Sequence, residues 1–313
     1  MIADTMIKID GIDRALVDGL VADGRASYTS LARLVDMSQA AVKTRVNRLL
    51  ERGLIRICGR VDPRALGFGE FAYCLLTVDG PVVPLATRMA ELDEAAFVLI
   101  ASGPYQVFVE LHARDRIHLA EAIENVRADP QVRAVDVSIL LDLVKQDWSQ
   151  IGGDSVRAGL HLDPVRRTVD EIDLRLLEEL AIDGRTTFTD MANHVGLSHA
   201  SARERVLSLM ESGIVTVQTI VSPGVRGVKG YVGLYIATSG PVAPIARSIA
   251  SIPDVALVAT ILGRYDVIVE AGYGDDDHLI RIIDEIRAID DVSEIDSFTY
   301  LATIKESMAI GLR

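Results

Sequence analysis

The chain is written twice. A shift of 160 residues lays it on itself without a gap over some 135 residues. Ile12-Asp13 falls on Ile172-Asp173, Asp23-Gly24-Arg25 on Asp183-Gly184-Arg185, Arg45-Val46 on Arg205-Val206, and Gly53 on Gly213. Further along, Gly80-Pro81-Val82 falls on Gly240-Pro241-Val242, Gly103 and Tyr105 on Gly263 and Tyr265, Val109-Glu110 on Val269-Glu270, His118-Leu119 on His278-Leu279, and Lys145 on Lys305. A period this long is no solenoid, whose units run to some 20–50 residues. It is a duplicated multi-domain unit. The 313 residues suit two or three domains, and each copy is long enough to bury a core of its own. Gln146 to Thr168, between the copies, holds Gly152-Gly153, Gly159 and Pro164 and has the composition of a linker.

Each copy divides again. Residues 10–53 carry three helical patterns. Ile12, Leu16 and Leu20 recur every four residues until Asp23-Gly24 stops them. A second helix runs over Thr29–Val35, and Ser38 suits the N-cap of a third, whose apolar face is Val42, Val46 and Leu49 and which Gly53 ends. Residues 54–61 form a short strand. Residues 68–145 alternate strand and helix as βαββαβ: strands at 71–78, 95–101, 105–111 and 132–141, helices at 81–92 and 115–128. The fold class is α+β, with helices on one face of an antiparallel sheet.

A three-helix module with Asp-Gly-Arg after its first helix, Ser opening the third, Arg-Val within it and Gly at its end resembles the leucine-responsive (feast/famine, Lrp/AsnC) regulators. The likeness continues into the βαββαβ part, where Gly263-Arg264-Tyr265-Asp266 keeps the Gly-x-Tyr-Asp loop. It covers residues 10–145 and 170–305. The resemblance implies winged-helix-like DNA-binding domains and ligand-sensing domains that pair sheet to sheet into dimers and larger homo-oligomers. It also implies amino-acid or related small-molecule effectors, bound between sensing domains. The expected organisation is helix-turn-helix at 1–62, sensing domain at 63–146, linker at 147–168, a second and degenerate helix-turn-helix at 169–222, and a second sensing domain at 223–313.

In a helix-turn-helix the last helix enters the major groove. With Val42 on the core face and 100° per residue, Thr44, Asn47 and Arg48 point outward, Lys43 lies on a flank and Arg45 at the core edge. Arg suits guanine, Asn adenine and Lys phosphate. Ser38, Gln39, Lys43, Thr44, Arg45, Asn47 and Arg48 are therefore the expected contacts to double-stranded DNA, joined by Arg203 and Arg205 of the second copy. There the remaining outward positions hold Glu204, Leu207 and Ser208. Residues 10–60 carry nine Lys/Arg against six Asp/Glu, and residues 170–220 four against nine. Phosphate neutralisation supplies much of DNA affinity, so the first copy is expected to carry binding despite the chain's overall −13. Arg45 and Arg205 equally suit a structural ion pair, and His199 suits a first-turn polar residue.

The opposite bias is expected of the sensing half. Gly263, Tyr265 and Asp266, with Ser297 on the last strand, are the candidate effector residues, Asp266 as acceptor of an ammonium group. In the first copy Gly103 and Tyr105 remain, but Gln106 replaces the acid.

No paired acid–base constellation, phosphate loop or metal-ligand spacing is present, so no cofactor and no catalytic role are expected. Cys58 and Cys74 suit two buried thiols of a reducing cytosol. No signal peptide or membrane span is read, which points to the cytoplasm. Two alternatives stand beside the regulator: an enzyme like the two-unit sirohaem decarboxylases of the same fold family, and a metabolite sensor without DNA binding.

Overall fold

The computed structural model describes residues 9–148 and 167–307, and most of the expected linker falls outside them. The first copy runs α1 (Gly11–Ala22), α2 (Tyr28–Leu34), α3 (Gln39–Glu51) and β1 (Ile55–Val61). It continues through β2 (Glu70–Val78), α4 (Val82–Glu91), β3 (Ala95–Ala101), β4 (Val107–Ala113), α5 (Arg116–Arg127) and β5 (Val132–Gln146). The second copy repeats the order as α6 (Glu171–Ile182), α7 (Phe188–Val195), α8 (His199–Glu211), β6 (Val215–Val221), β7 (Gly230–Thr238), α9 (Val242–Ala250), β8 (Val255–Leu262), β9 (Val267–Tyr273), α10 (Asp276–Arg287) and β10 (Val292–Glu306). Residue for residue the caps match. Asp10 and Asp170 cap α1 and α6 through reciprocal capping boxes, and Ser38 and Ser198 cap α3 and α8. Gly53 and Gly213 close those helices at φ +64° and +75°, backbone that glycine adopts without a Cβ penalty.

The chain does not divide into its two copies. It divides into two compact units, each drawing on both. The first holds the two three-helix modules. β1 and β6 pair antiparallel, with Cys58 opposite Gln218, its own counterpart in the repeat, so an approximate two-fold axis passes through that pair. The first module's core of Leu16, Leu20, Leu31, Val42, Val46 and Leu49 is completed by Val217 and Val225 of the second copy. Asp-Gly-Arg sits at this join. A Cβ on Gly184 would come within 2.7 Å of Val217 Cγ1 and 3.1 Å of the Cys58 backbone. Arg25 donates to the carbonyls of Gly184 and Thr186 at 2.6 and 3.1 Å, and Arg185 returns the bonds to Gly24 and Ala26 at 2.9 Å each.

The second unit is a closed eight-stranded barrel, β10-β3-β4-β2-β5-β8-β9-β7, made of the two βαββαβ sheets joined edge to edge. Closure leaves no exposed edge. The outer faces bury α4 and α5 on one half and α9 and α10 on the other, and the inner faces meet in an aromatic core that includes Tyr73, Phe108, Tyr235, Tyr265 and Phe298. β5 and β10 are longer than the sequence pattern suggests, since each crosses to the other half. Val144 on β5 packs against the second copy's core and Ile304 on β10 against the first copy's. Lys305 Nζ reaches the Leu92 carbonyl at the end of α4 (2.9 Å), and Lys145 Nζ the Ile252 carbonyl after α9 (3.5 Å). The repeated lysines thus each close a helix of the opposite copy, and burial pulls both ammonium groups down. Cys58 and Cys74 are both buried and unbridged, and burial pushes the Cys74 thiol up to about 12.

Candidate nucleic-acid interface and ligand site

The outward face of α3 separates into two chemical groups. Ser38, Gln39, Lys43 and Thr44 are exposed. Ser38 spends its hydroxyl on capping Ala41 N–H and Thr44 donates its hydroxyl to the Ala40 carbonyl at 3.0 Å, while Gln39 and Lys43 make no ion pair among the described residues. Arg45 and Arg48 are committed. Arg45 donates to Asp10 and Asp13 at 2.7 and 2.8 Å, and Arg48 to both oxygens of Asp13 at 2.9 and 2.7 Å. Asp13 is 4% exposed as a side chain, and an uncompensated buried carboxylate would be costly. For Arg45 the structure gives the ion pair. For Arg48 it corrects the expectation of an arginine aimed only outward, and Asn47 is half-buried rather than fully outward.

The second copy solves the same problem differently. Arg205 donates to Asp170 and Asp173 at 2.7 and 3.0 Å. Ser208 stands where Arg48 does, and Arg167, ahead of α6, supplies the second guanidinium to Asp173 at 2.6 Å. Arg203 is exposed, with its guanidinium 6.0 Å from the centre of the Phe188 ring.

In the barrel the two Gly-x-Tyr loops converge. Tyr105 donates to Asp136 at 2.9 Å and Tyr265 to Asp296. Arg264, whose counterpart is Pro104, donates to the Tyr105 hydroxyl (3.4 Å) and lies 5.1 Å over the Tyr265 ring, so one side chain bridges the two loops. Burial and the Asp296 carboxylate hold the Tyr265 hydroxyl far above the ordinary phenol range, and Tyr105 is shifted the same way by burial and Asp136. Gly103 has φ +110°, and a Cβ there would meet the Ser297 carbonyl at 3.3 Å. Gly263 is required by space: a Cβ would lie 2.6 Å from Ser138 Oγ and 3.0 Å from the Val137 carbonyl. Each loop therefore leans on the last strand of the other copy, and Ser297, expected beside Gly263, lies beside Gly103 instead. Strand exchange is the reason. Asp266 accepts from the backbone N–H and hydroxyl of Thr238 at 2.7 and 3.1 Å. Gln106 accepts from the equivalent Val78 N–H at 3.0 Å, so the exchange of acid for amide preserves this bond.

His118 and His278 hold the turns before α5 and α10, each accepting a backbone N–H on Nδ1 and facing Glu94 or Asp254 through Nε2. Among the described residues no cluster of metal-ligating side chains occurs and no helix is long and apolar enough to cross a membrane.

Comparison with known proteins settles the lineage. The model of the AsnC-type helix-turn-helix domain matches residues 9–50 and 169–210, and that of the Lrp/AsnC ligand binding domain matches residues 231–310. The HTH-type transcriptional regulator LysM of Saccharolobus solfataricus is 33% identical over 135 residues, covering 43% of this chain and 95% of that protein. The chain belongs to the Lrp/AsnC family. Another relative in the family, the HTH-type transcriptional regulator LrpA of Mycobacterium tuberculosis, is 30% identical over 135 residues, 42% of this chain and 90% of its own length. These Lrp/AsnC relatives correspond to one copy of the duplicated unit. The tandem arrangement is similar over 95% of both chains to the crystal structure of the siroheme decarboxylase NirDL in co-complex with an iron-uroporphyrin III analogue, with a TM-score of 0.67 at 13% identity. That likeness is one of fold.

Proposed function

We propose that this Lrp/AsnC chain is a cytoplasmic, sequence-specific DNA-binding regulator of transcription that responds to a small molecule, an amino acid or a related metabolite. One observation carries the reading: α3 of an AsnC-type helix-turn-helix presents Gln39, Lys43 and Thr44 exposed on its outward face. These are groups able to meet base edges and phosphates. The regulators LysM and LrpA support it by likeness. The effector is assigned to the seam where Tyr105, Arg264 and Tyr265 meet, with Gly103, Gly263, Asp266 and Ser297 framing it. The pairing that the family resemblance asks of two chains is met inside one, in the helical unit and in the barrel alike.

The test is binding of the purified protein to duplex DNA from its own upstream region across a salt series, beside a Gln39→Ala/Lys43→Ala variant. Arg48 is unsuitable, since removing it also strips a partner from Asp13. Salt-sensitive binding that the variant loses is expected. No binding above background at low salt ends the DNA reading.

The second reading, an enzyme acting on a tetrapyrrole, is favoured by the two-unit likeness to NirDL. Against it, the barrel interior is filled by aromatic side chains. Absorbance titration with an iron-uroporphyrin III analogue distinguishes the two readings, a saturable spectral shift favouring the enzyme.

A further inference from the structure

The second helix-turn-helix has lost some positions of the first and kept others. Thr44, Asn47 and Arg48 have become Glu204, Leu207 and Ser208, while Lys43 is kept as a cation in Arg203 and Tyr28 as an aromatic ring in Phe188. The lost positions lie on the outward face suited to bases. The kept ones come together in the structure. Arg25, crossing from the first copy, lies 4.9 Å over the Phe188 ring, Arg203 stands 6.0 Å over the same ring, and the His199 ring meets it edge-on at 6.2 Å. Arg25, Phe188 and His199, with Arg185 and the exposed Thr189, line a surface recess of about 310 Å³, and Arg203 stands beside it across the Phe188 ring.

Arg25 and Arg185 spend their guanidinium donors on carbonyl oxygens, and neither they nor Arg203 form an ion pair among the described residues. Burial and then the neighbouring Arg185 pull the Arg25 guanidinium down from its ordinary range, while the Asp183 and Asp23 carboxylates push the other way. The nearby Asp190 is engaged with the Thr187 hydroxyl at 2.7 Å. Two arginines that make no ion pair among the described residues thus line a recess in a domain whose formal charge is negative.

We propose that this recess seats a backbone phosphate of the DNA, so that the second helix-turn-helix clamps the duplex without reading its sequence while α3 reads it. The proposal rests on the regulator reading. Arg203, exposed beside the Phe188 ring, is the arginine there whose guanidinium is not given to a backbone carbonyl, and it can offer its N–H groups to a phosphate. Glu204, by contrast, repels the backbone, and with Leu207 and Ser208 it leaves the positions equivalent to Thr44, Asn47 and Arg48 without an Arg, Asn or Gln to pair with a base. The complex is then lopsided: two half-sites are covered and one carries the sequence requirement.

The experiment compares wild type with His199→Ala/Arg203→Ala, and separately Arg203→Gln, on the upstream duplex and on a scrambled duplex of equal length. Fluorescence anisotropy is read from low to moderate salt, with melting curves to confirm folding. Losing one phosphate contact makes the log–log salt dependence shallower by about 0.9, worth roughly five-fold in affinity near 0.15 M salt. The expected loss is by the same factor on both duplexes, leaving their ratio unchanged. Folded variants with the affinity and salt slope of wild type overturn the clamp. So does a loss confined to the upstream duplex, which would show α8 reading bases. A wild type that binds neither duplex fails earlier, at the regulator reading itself.

Discussion

Glu270 sits in an environment far from its solution chemistry. It lies inside the barrel, 6% exposed, on β9 opposite Gly233 and Leu257. Burial pushes its carboxyl from 4.5 up to about 8, the Glu110 and Glu306 carboxylates push the same way, and the Tyr300 hydroxyl opposes them. Its counterpart Glu110 faces His112 Nε2 at 2.6 Å, whereas Gly272 stands where Glu270 would need that histidine. The folded chain thus keeps a proton that the unfolded chain releases near 4.5. Stability is fullest below that pH, falls as pH rises toward about 8, and levels off above it. Glu270→Gln removes this term. Between pH 5 and 8.5 the melting temperature of the variant is expected to fall less than that of wild type. Parallel melting curves would show that Glu270 is already ionised in the fold.

Strand pairs inside the barrel are matched across the repeat by exchange of volume. Tyr73 with Ser138 in the first copy corresponds to Gly233 with Phe298 in the second. A Cβ on Gly233 would lie 2.0 Å from Phe298 Cζ, so the ring occupies the space a side chain would take. Gly233→Ala is expected to lose about 1–3 kcal/mol, as overpacked cores do. Phe298→Leu should recover part of the loss in a double-mutant cycle, and additive urea-unfolding free energies would rule the contact out as the cause. Periodicity made the helices and most strands legible, because a helix face or an alternating strand carries its own burial pattern. The exchange between Tyr73 and Gly233 was hidden, since it involves strands joined only by the fold. The far ends of β5 and β10 were hidden for the same reason: their partners β8 and β3 belong to the other copy. At the interface, Gln39 and Lys43 were legible from the helical wheel. The commitment of Arg48 depends on Asp13, 35 residues away in the chain, and no local pattern carries that distance.

Over the whole molecule, duplication is used to close surfaces that a single copy would leave open. β1 needs β6, β5 needs β8 and β3 needs β10, while Val217, Val144 and Ile304 each complete a core begun in the opposite copy. Arg25 and Arg185 each bond backbone carbonyls of the opposite copy. A copy standing alone would expose the edges of β1, β3 and β5, and an unpaired edge seeks another strand. Cohesion between the copies therefore comes from pairing and burial, with covalent continuity adding mainly effective concentration. A protease site placed between Gly152 and Gly153, in the sequence between the two copies, separates these contributions. After complete cleavage the two fragments are expected to co-elute as one species of unchanged hydrodynamic size. Their melting should depend on protein concentration, where the intact chain's does not, because unfolding now releases two molecules. Fragments that part on dilution to micromolar concentration while each keeps its own helical and strand content would show two self-sufficient copies, and the interleaved cores would then contribute little to holding the fold.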